Sequence, residues 1–327
     1  MISNRQNQRL KDIRRLRRSK GAQALLEGPH LVAEALAAGL PLDEVLATPP
    51  FLATPEGRRL AALLPAAPLE VAPELLDGLT DADSPQGVLA VARLPRAGVA
   101  ALPVAPGRPY LYLDGLQDPG NLGALARVAE AAGAAGLALS PGCVHPNHPR
   151  ALRASAGSLL RLPVAVAADP DALSSHLAAA HPRWAALVPR DGQSLYDAPL
   201  GGTLILAVGA EGPGLSPTLL ARADLRLTIP MEPAVESLNA TVAAALVLFE
   251  VRRAAVQKGW RLPKRDDPSP QKDEAPSKKD EGSPKKDGAS SKKDEASSKL
   301  DEGSPKKDGA PSKKDEGSPK KDGGSAI

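Results

Sequence analysis

From residue 109 to residue 260 short apolar runs alternate with helical stretches, and few folds accommodate that rhythm. "YLYLDGL", "GLALS", "PVAVA", "WAALVPR", "TLILAVG" and "LRLTIP" read as strands. Between them "NLGALARVAEAAG", "PRALRASAGSLLRL", "DPDALSSHLAAA" and "SPTLLARA" read as helices, and a last helix runs from 239 to 258. Apolar strands that each lead into a helix predict an α/β fold, a parallel sheet covered on both faces. In such sheets ligands bind beyond the carboxyl ends of the strands. What stands at those ends therefore decides what the chain can do.

The flanking segments are of a different character. Residues 95–108, "PRAGVAALPVAPGR", are rich in Pro and Gly without periodicity and read as an interdomain linker. Residues 1–94 then form a small domain. Leu10, Ile13 and Leu16 line one face of its first helix. "ALLEGPHLVAEALAAGL" gives a strand, a Gly-Pro turn at 28–29 and an amphipathic helix ending at Gly39, and "DEVLAT" and "GVLAVARL" read as further strands. The domain of interest spans 109–263, and beyond it the composition collapses into Lys, Asp, Glu, Ser and Pro. There a Lys-Lys-Asp unit starts at 278, 285, 292, 306, 313 and 320, with Lys-Leu-Asp at 299. The period is seven, but no heptad position is regularly apolar, so no coiled-coil seam exists. Residues 264–327 are expected to be a disordered, solubilising tail.

Charge is placed unevenly. The net charge is only +3, yet residues 1–20 hold eight Lys/Arg against one Asp. Arg5, Arg9, Lys11, Arg14, Arg15, Arg17 and Arg18 form a basic patch suited to RNA phosphates. Aromatics are 2% of the chain, which argues against RNA binding on stacked rings. The single Cys143 excludes an intrachain disulfide and any multi-Cys metal site, and a reducing cytoplasm is the default. The first residues lack the apolar core of a signal peptide, and no apolar run is long enough to span a membrane.

Three strand ends carry polar groups. After the first strand comes "DGLQDPGNLGALAR", in which Asn121 suits a helix N-cap and Arg127 follows six residues later. After "TLILAVG" comes "VGAEGPGLS", with Gly209, Gly212 and Gly214 around Glu211. Three glycines permit tight backbone turns and close ligand approach. The pattern is neither GxGxxG nor a P-loop. After "LRLTIP" comes "IPMEPAVESLNATVAAALVLFE", where either Ser237 or Asn239 can cap the last helix. Whichever does not cap it is left, like Glu236, without a structural task.

These three segments, in this order, resemble the three motifs of the SpoU–TrmH family of RNA ribose 2′-O-methyltransferases. The resemblance covers roughly 109–256, with 20 residues from Gly209 to Ile229 and nine from Ile229 to Leu238. "RALRASAGSLLRLPV" fits the family between the first two motifs. "LLEGPHLVAEALAAG" resembles the small substrate-binding domain, of a ribosomal-protein (L30e-like) fold, that precedes the catalytic domain in several members. The repeat tail departs from the family pattern.

The resemblance implies a deep C-terminal trefoil knot, which ordinary topology rules disfavour. It also implies a homodimer, S-adenosylmethionine as cofactor and no metal. Gly209, Ile229 and Leu238 match the cofactor-binding positions, and glycine at 209 fits an adenosyl group packed on its backbone. Asn121, Arg127, Glu211, Ser237 and Asn239 match the catalytic positions. The family assigns the arginine to activation of the 2′-hydroxyl. Guanidinium stays protonated, so Arg127 is read as a cation that stabilises alkoxide charge, with Glu211 holding either Arg127 or the motif loops. The expected substrate is 23S rRNA. A tRNA methyltransferase and a non-catalytic ribosome-assembly factor on the same fold are the alternatives.

Overall fold

The computed structural model describes residues 2–16 and 21–257. Arg17, Arg18 and the repeat tail lie outside the described residues. Among the described residues no helix is long and apolar enough to cross a membrane.

The first part of the chain runs α1 (Gln8–Leu16), β1 (Gln23–Glu27), α2 (Pro29–Ala37), β2 (Leu42–Ala47), α3 (Pro49–Leu52), α4 (Pro55–Leu63), β3 (Leu69–Glu70), α5 (Pro73–Asp77) and β4 (Val88–Arg93). Its four strands lie in the order β1-β4-β2-β3, with β4 antiparallel to both neighbours. Side chains alternate across the sheet. One set, with Leu25, Leu46, Leu89 and Val91, packs on Leu10 and Ile13 of α1 and on α5. The other set, with Ala24, Leu26, Val88 and Ala90, packs on Leu31, Val32 and Ala35 of α2.

The second part runs β5 (Tyr110–Asp114), α6 (Pro119–Ala132), β6 (Gly136–Leu139), α7 (Pro149–Ala154), α8 (Ser158–Arg161), β7 (Val164–Ala165), α9 (Pro170–His176), β8 (Arg183–Leu187), β9 (Gln193–Ser194), β10 (Leu204–Gly209), α10 (Pro217–Arg222), β11 (Leu225–Thr228) and α11 (Ala240–Gln257). Seven strands lie in the order β7-β6-β5-β10-β8-β11-β9, and every pairing is parallel. Leu111, Leu113, Leu206 and Val208 face α6 and α11, and Tyr112, Ile205 and Ala207 face α9 and α10. Burial on both faces explains why these strands read as continuous apolar runs.

One helix of the sequence reading is two. "PRALRASAGSLLRL" breaks between α7 and α8, where Ala156 and Gly157 take left-handed φ of 47° and 91°. The buried Ser155 hydroxyl stabilises the break, donating to the Leu152 carbonyl at 2.8 Å and accepting from the Leu159 amide.

Residues 95–108 connect the two sheets and are pinned along their length. The Arg96 side chain is half-buried and donates to Asn147 Oδ1 (2.8 Å) and the Leu159 carbonyl (3.0 Å). That burial pulls its pKa down to about 10. Asn147 in turn donates to the Leu94 carbonyl at 2.9 Å. Ala97 bridges Ala165 of β7, and the Tyr110 hydroxyl donates to the Pro103 carbonyl at 2.6 Å. The apolar cluster on the α2 side of the small sheet continues without interruption into the α6 side of the large one. The small sheet is thus docked through a shared core.

Candidate active site

The carboxyl ends of β5, β10 and β11 converge on Glu211. At the first, α6 begins with Pro119, which lacks an amide hydrogen and holds the preceding residue extended. Asp118 (φ −78°, ψ 120°) is therefore the N-cap, and its Oδ1 accepts from the Asn121 amide at 2.7 Å. This corrects the expectation that Asn121 caps the helix. With capping done by Asp118, the Asn121 side chain is released and donates Nδ2 to Glu211 Oε1 at 2.5 Å.

The loop after β10 is built by its glycines. Gly212 and Gly214 take φ of 85° and 71°, a region that L side chains avoid. The Gly214 amide returns to the Ala210 carbonyl at 3.0 Å. A Cβ on Gly209 would lie 2.1 Å from the Gly214 carbonyl carbon and 2.3 Å from the Leu215 nitrogen. Gly209 is thus required by the loop's own backbone, whatever binds beside it, and that revises the reason given for glycine here. Asp114, at the end of β5, accepts from the Ser216 amide at 2.8 Å and ties the loop to the neighbouring strand. No local pattern singles out Asp114, because its partner lies 102 residues away.

The third end resolves the choice between Ser237 and Asn239. Asn239 Oδ1 accepts from the Thr241 amide at 2.9 Å, so Asn239 is the cap of α11. Its Nδ2 meanwhile lies 3.4 Å from Glu211 Oε1. One side chain performs both tasks. Ser237 is exposed, lines the cleft and makes no hydrogen bond within the described residues. Glu211 thus joins Asn121 to Asn239 and holds the loops. It does not hold Arg127, which lies exposed on α6 with no hydrogen bond or ion pair among the described residues.

Beside this hub lies a cleft of about 640 Å³ between the 209–214 loop, Val188 and Pro189, and the 229–239 segment. Ile229 (7% exposed) and Leu238 (36% exposed) give it apolar surface. The combination of apolar walls with peptide edges of two loops fits a nucleoside-sized ligand with an apolar base and polar ribose. Gly209, Ile229 and Leu238 all line this cleft. Arg127 and Asn121 do not line it.

The basic patch is partly self-neutralised. Arg9 lies 3.5 Å from Glu44 and Arg15 lies 3.1 Å from Asp12, while Arg5 and Arg14 are exposed and Lys11 is half-buried.

The dual role of Asn239 yields a test. Asp caps helices as well as Asn does, but Asn239→Asp places a second carboxylate against Glu211. The thermal midpoint is expected to stay within a few degrees of wild type, while turnover falls by about 10-fold or more through loss of the Glu211 contact. Unchanged turnover would limit Asn239 to capping.

Comparison with known proteins places the geometry in context. The profile of the SpoU rRNA Methylase family matches residues 108–249, and that of the MRM3-like substrate binding domain matches 7–90. An uncharacterized tRNA/rRNA methyltransferase of Synechocystis is 36% identical over 262 residues, covering 77% of this chain and 93% of the relative. The 23S rRNA (guanosine(2553)-2′-O)-methyltransferase RlmP of Bacillus subtilis is 30% identical, covering 77% of this chain and 98% of that protein. Among solved structures, the SpoU methyltransferase AviRb of Streptomyces viridochromogenes in complex with AdoMet superposes with a TM-score of 0.71 at 25% identity, covering 77% of this chain and 99% of that one. An AdoMet-bound rRNA methyltransferase from Sinorhizobium meliloti gives 0.69 at 28% identity, covering 77% and 97%. Shared sequence over nearly the whole length of these relatives, with matching folds, means that this chain belongs to the SpoU rRNA methylase family.

Proposed function

We propose that this protein methylates a ribose 2′-oxygen of 23S rRNA, using S-adenosylmethionine. The observation that carries this reading is the convergence on Glu211: amides from the first and third strand ends meet a carboxylate from the second, beside a cleft of nucleoside size. The two AdoMet-bound structural relatives support the cofactor, and the named activity of the B. subtilis relative supports both the 2′-oxygen and the large-subunit RNA. The cell compartment in this reading is the cytoplasm, where Cys143 stays a free thiol.

Gly209, Ile229 and Leu238 would hold the cofactor, which supplies an electrophilic methyl group on a sulfonium. The transfer is an in-line displacement, so alignment supplies much of the rate. Asn121 and Asn239, fixed by Glu211, set the relative position of the α6 and α11 ends. Ser237, free of protein partners, is available to the ribose. Arg127 stays a cation and stabilises charge developing on the 2′-oxygen. The basic face of α1 contributes phosphate contacts that weaken with salt and carry no sequence choice.

Two architectural features belong to this reading. One is an L30e-like fold for residues 1–94. The other is a trefoil knot formed as the segment after β11 passes the 209–214 loop. The shared lining of one cleft by both segments supports the knot.

The reading also includes a homodimer. Val242, Leu246, Phe249 and Val256 stand exposed along α11 at helical spacing, an apolar stripe that a second copy would cover. Leu246→Glu with Phe249→Glu is expected to give a monomer in analytical ultracentrifugation. A dimer that persists in this double variant would place the interface elsewhere.

The function is tested by incubating the full chain with labelled S-adenosylmethionine and separate rRNA and tRNA pools, then mapping the modified nucleotide. Label in a 23S rRNA ribose supports the proposal. Label confined to tRNA would redirect the substrate, and label in neither pool would favour an assembly factor.

A further inference from the structure

The two sheets meet at a buried ion pair that the chemistry above does not use. Glu27, the last residue of β1, has a side chain only 4% exposed, and its Oε2 accepts from the Arg153 guanidinium. The Thr80 hydroxyl donates to the same oxygen at 2.7 Å. Among the described residues Glu27 Oε1 has no hydrogen-bond partner, so the pair rests on Oε2. Arg153 sits on α7, its side chain 26% exposed. A second strut runs parallel: Arg161 of α8 pairs with Glu34 of α2 and, through Nε and Nη2, with both carboxylate oxygens of Glu130 on α6 at 2.8 and 2.9 Å.

Helix α7 in turn fixes α6. A Cβ on Gly123 would lie 2.3 Å from the Ala151 carbonyl oxygen and 2.6 Å from the Ala154 Cβ, so the two helices touch at that glycine. Gly123 is two residues after Asn121 and four before Arg127. A displacement of α7 cannot be absorbed at such a contact and must move α6. The physical chain therefore runs from β1 through Glu27, Arg153 and the Gly123 contact to the residues at the site.

We propose that Glu27 and Arg153 are positioning residues: the pair sets α6, and with it Asn121 and Arg127, from the small sheet. Strands β1 to β3 and the start of β4 lie within residues 7–90, which match a substrate-binding domain. RNA held there then acts on a catalytic helix already registered to it. The inference rests on the methyltransferase reading for its kinetic arm and on the packing alone for its second arm.

The test uses the full chain with Glu27→Gln, Arg153→Gln and the double variant. Arg153→Gln leaves the buried Glu27 carboxylate with Thr80 but no opposite charge, and Glu27→Gln leaves the partly exposed Arg153 guanidinium without its carboxylate. The double removes both charges and allows an amide–amide hydrogen bond. Misalignment of reacting groups by about an ångström costs on the order of 100-fold in rate. The singles should therefore lose about 10- to 100-fold in kcat, with calorimetric affinity for S-adenosylmethionine unchanged. The double should recover above either single. Amide hydrogen exchange over residues 119–127 should quicken in the singles and slow again in the double, a readout that needs no turnover. Wild-type turnover in the same assay separates this result from failure of the methyltransferase reading. Wild-type kcat and wild-type exchange in the singles would overturn the proposal, as would a double variant whose loss equals the product of the two. A matching loss of cofactor affinity would also overturn it, since general damage to the fold would then explain the kinetics. If the singles do not fold, Glu27→Asp decides instead, since it keeps the charge but shortens its reach to Arg153: normal kcat and exchange overturn the pair's role, and slowed turnover or faster α6 exchange with intact cofactor affinity supports it.

Discussion

Arg127→Ala will fold, bind cofactor and keep the oligomeric state of wild type, and will lose methyl transfer. The structure gives the reason for both halves. Arg127 is exposed in the body of α6 and has no hydrogen bond or ion pair to lose, so its truncation leaves no buried group unsatisfied. Alanine is also the better helix former, by a few tenths of a kcal/mol. The side chain has no structural use that the described residues reveal, and its exposed guanidinium is open to meet an anion. Removing one group that stabilises charge in the transition state costs about 100- to 1000-fold in kcat. Arg127→Lys should fall between the two, keeping the charge but losing the planar fork. The measurement is single-turnover methyl transfer with saturating cofactor, alongside calorimetric cofactor affinity. Wild-type turnover in Arg127→Ala would remove Arg127 from the mechanism and leave Ser237 as the side chain that the proposed mechanism offers to the ribose.

Much of this arrangement was legible before the fold was known, and the exceptions have physical causes. The parallel sheet was readable because β5 and β10 are buried on both faces and so carry unbroken apolar runs. The strand order was not, since nothing in "TLILAVG" says that it inserts between β5 and β8. Helices α3 and α4 passed unnoticed within a loop-like composition. Thr48-Pro49 and Thr54-Pro55 look like breakers, but each is a threonine cap followed by proline at the first helical position. The same cap-then-proline logic at Asp118-Pro119 places the cap of α6 three residues before Asn121. Residue identities at the site were readable as a pattern, whereas their partners were not. Glu211 meets Asn121 across 90 residues and Asn239 across 28, and such distances in sequence carry no local signal.

Gly209→Val will collapse the loop that shapes the cleft, and the loss of cofactor binding will follow from that collapse. A first added carbon already lies 2.1 to 2.3 Å from three backbone atoms of Gly214 and Leu215. Backbone cannot rotate away as a side chain can, so residues 210–215 must move as a unit. Their ties to the sheet, the Gly214–Ala210 hydrogen bond and the Ser216–Asp114 hydrogen bond, are then strained together. Overpacking of this kind costs about 1–3 kcal/mol, and Gly209→Ala should show most of it because the clash begins at Cβ. Gly212→Ala is the informative control. An added Cβ there meets nothing within 4 Å, but φ is +85°, so its cost is backbone strain alone, on the order of 1–2 kcal/mol. The prediction is a lowered thermal midpoint in cofactor-free protein for both Gly209 variants, larger than that of Gly212→Ala, together with cofactor affinity too weak to measure by calorimetry. The cofactor-free melt is decisive. If Gly209→Ala melts as wild type does and only cofactor affinity falls, the glycine serves a ligand packed on its backbone, and the close approach to Gly214 is not what requires it.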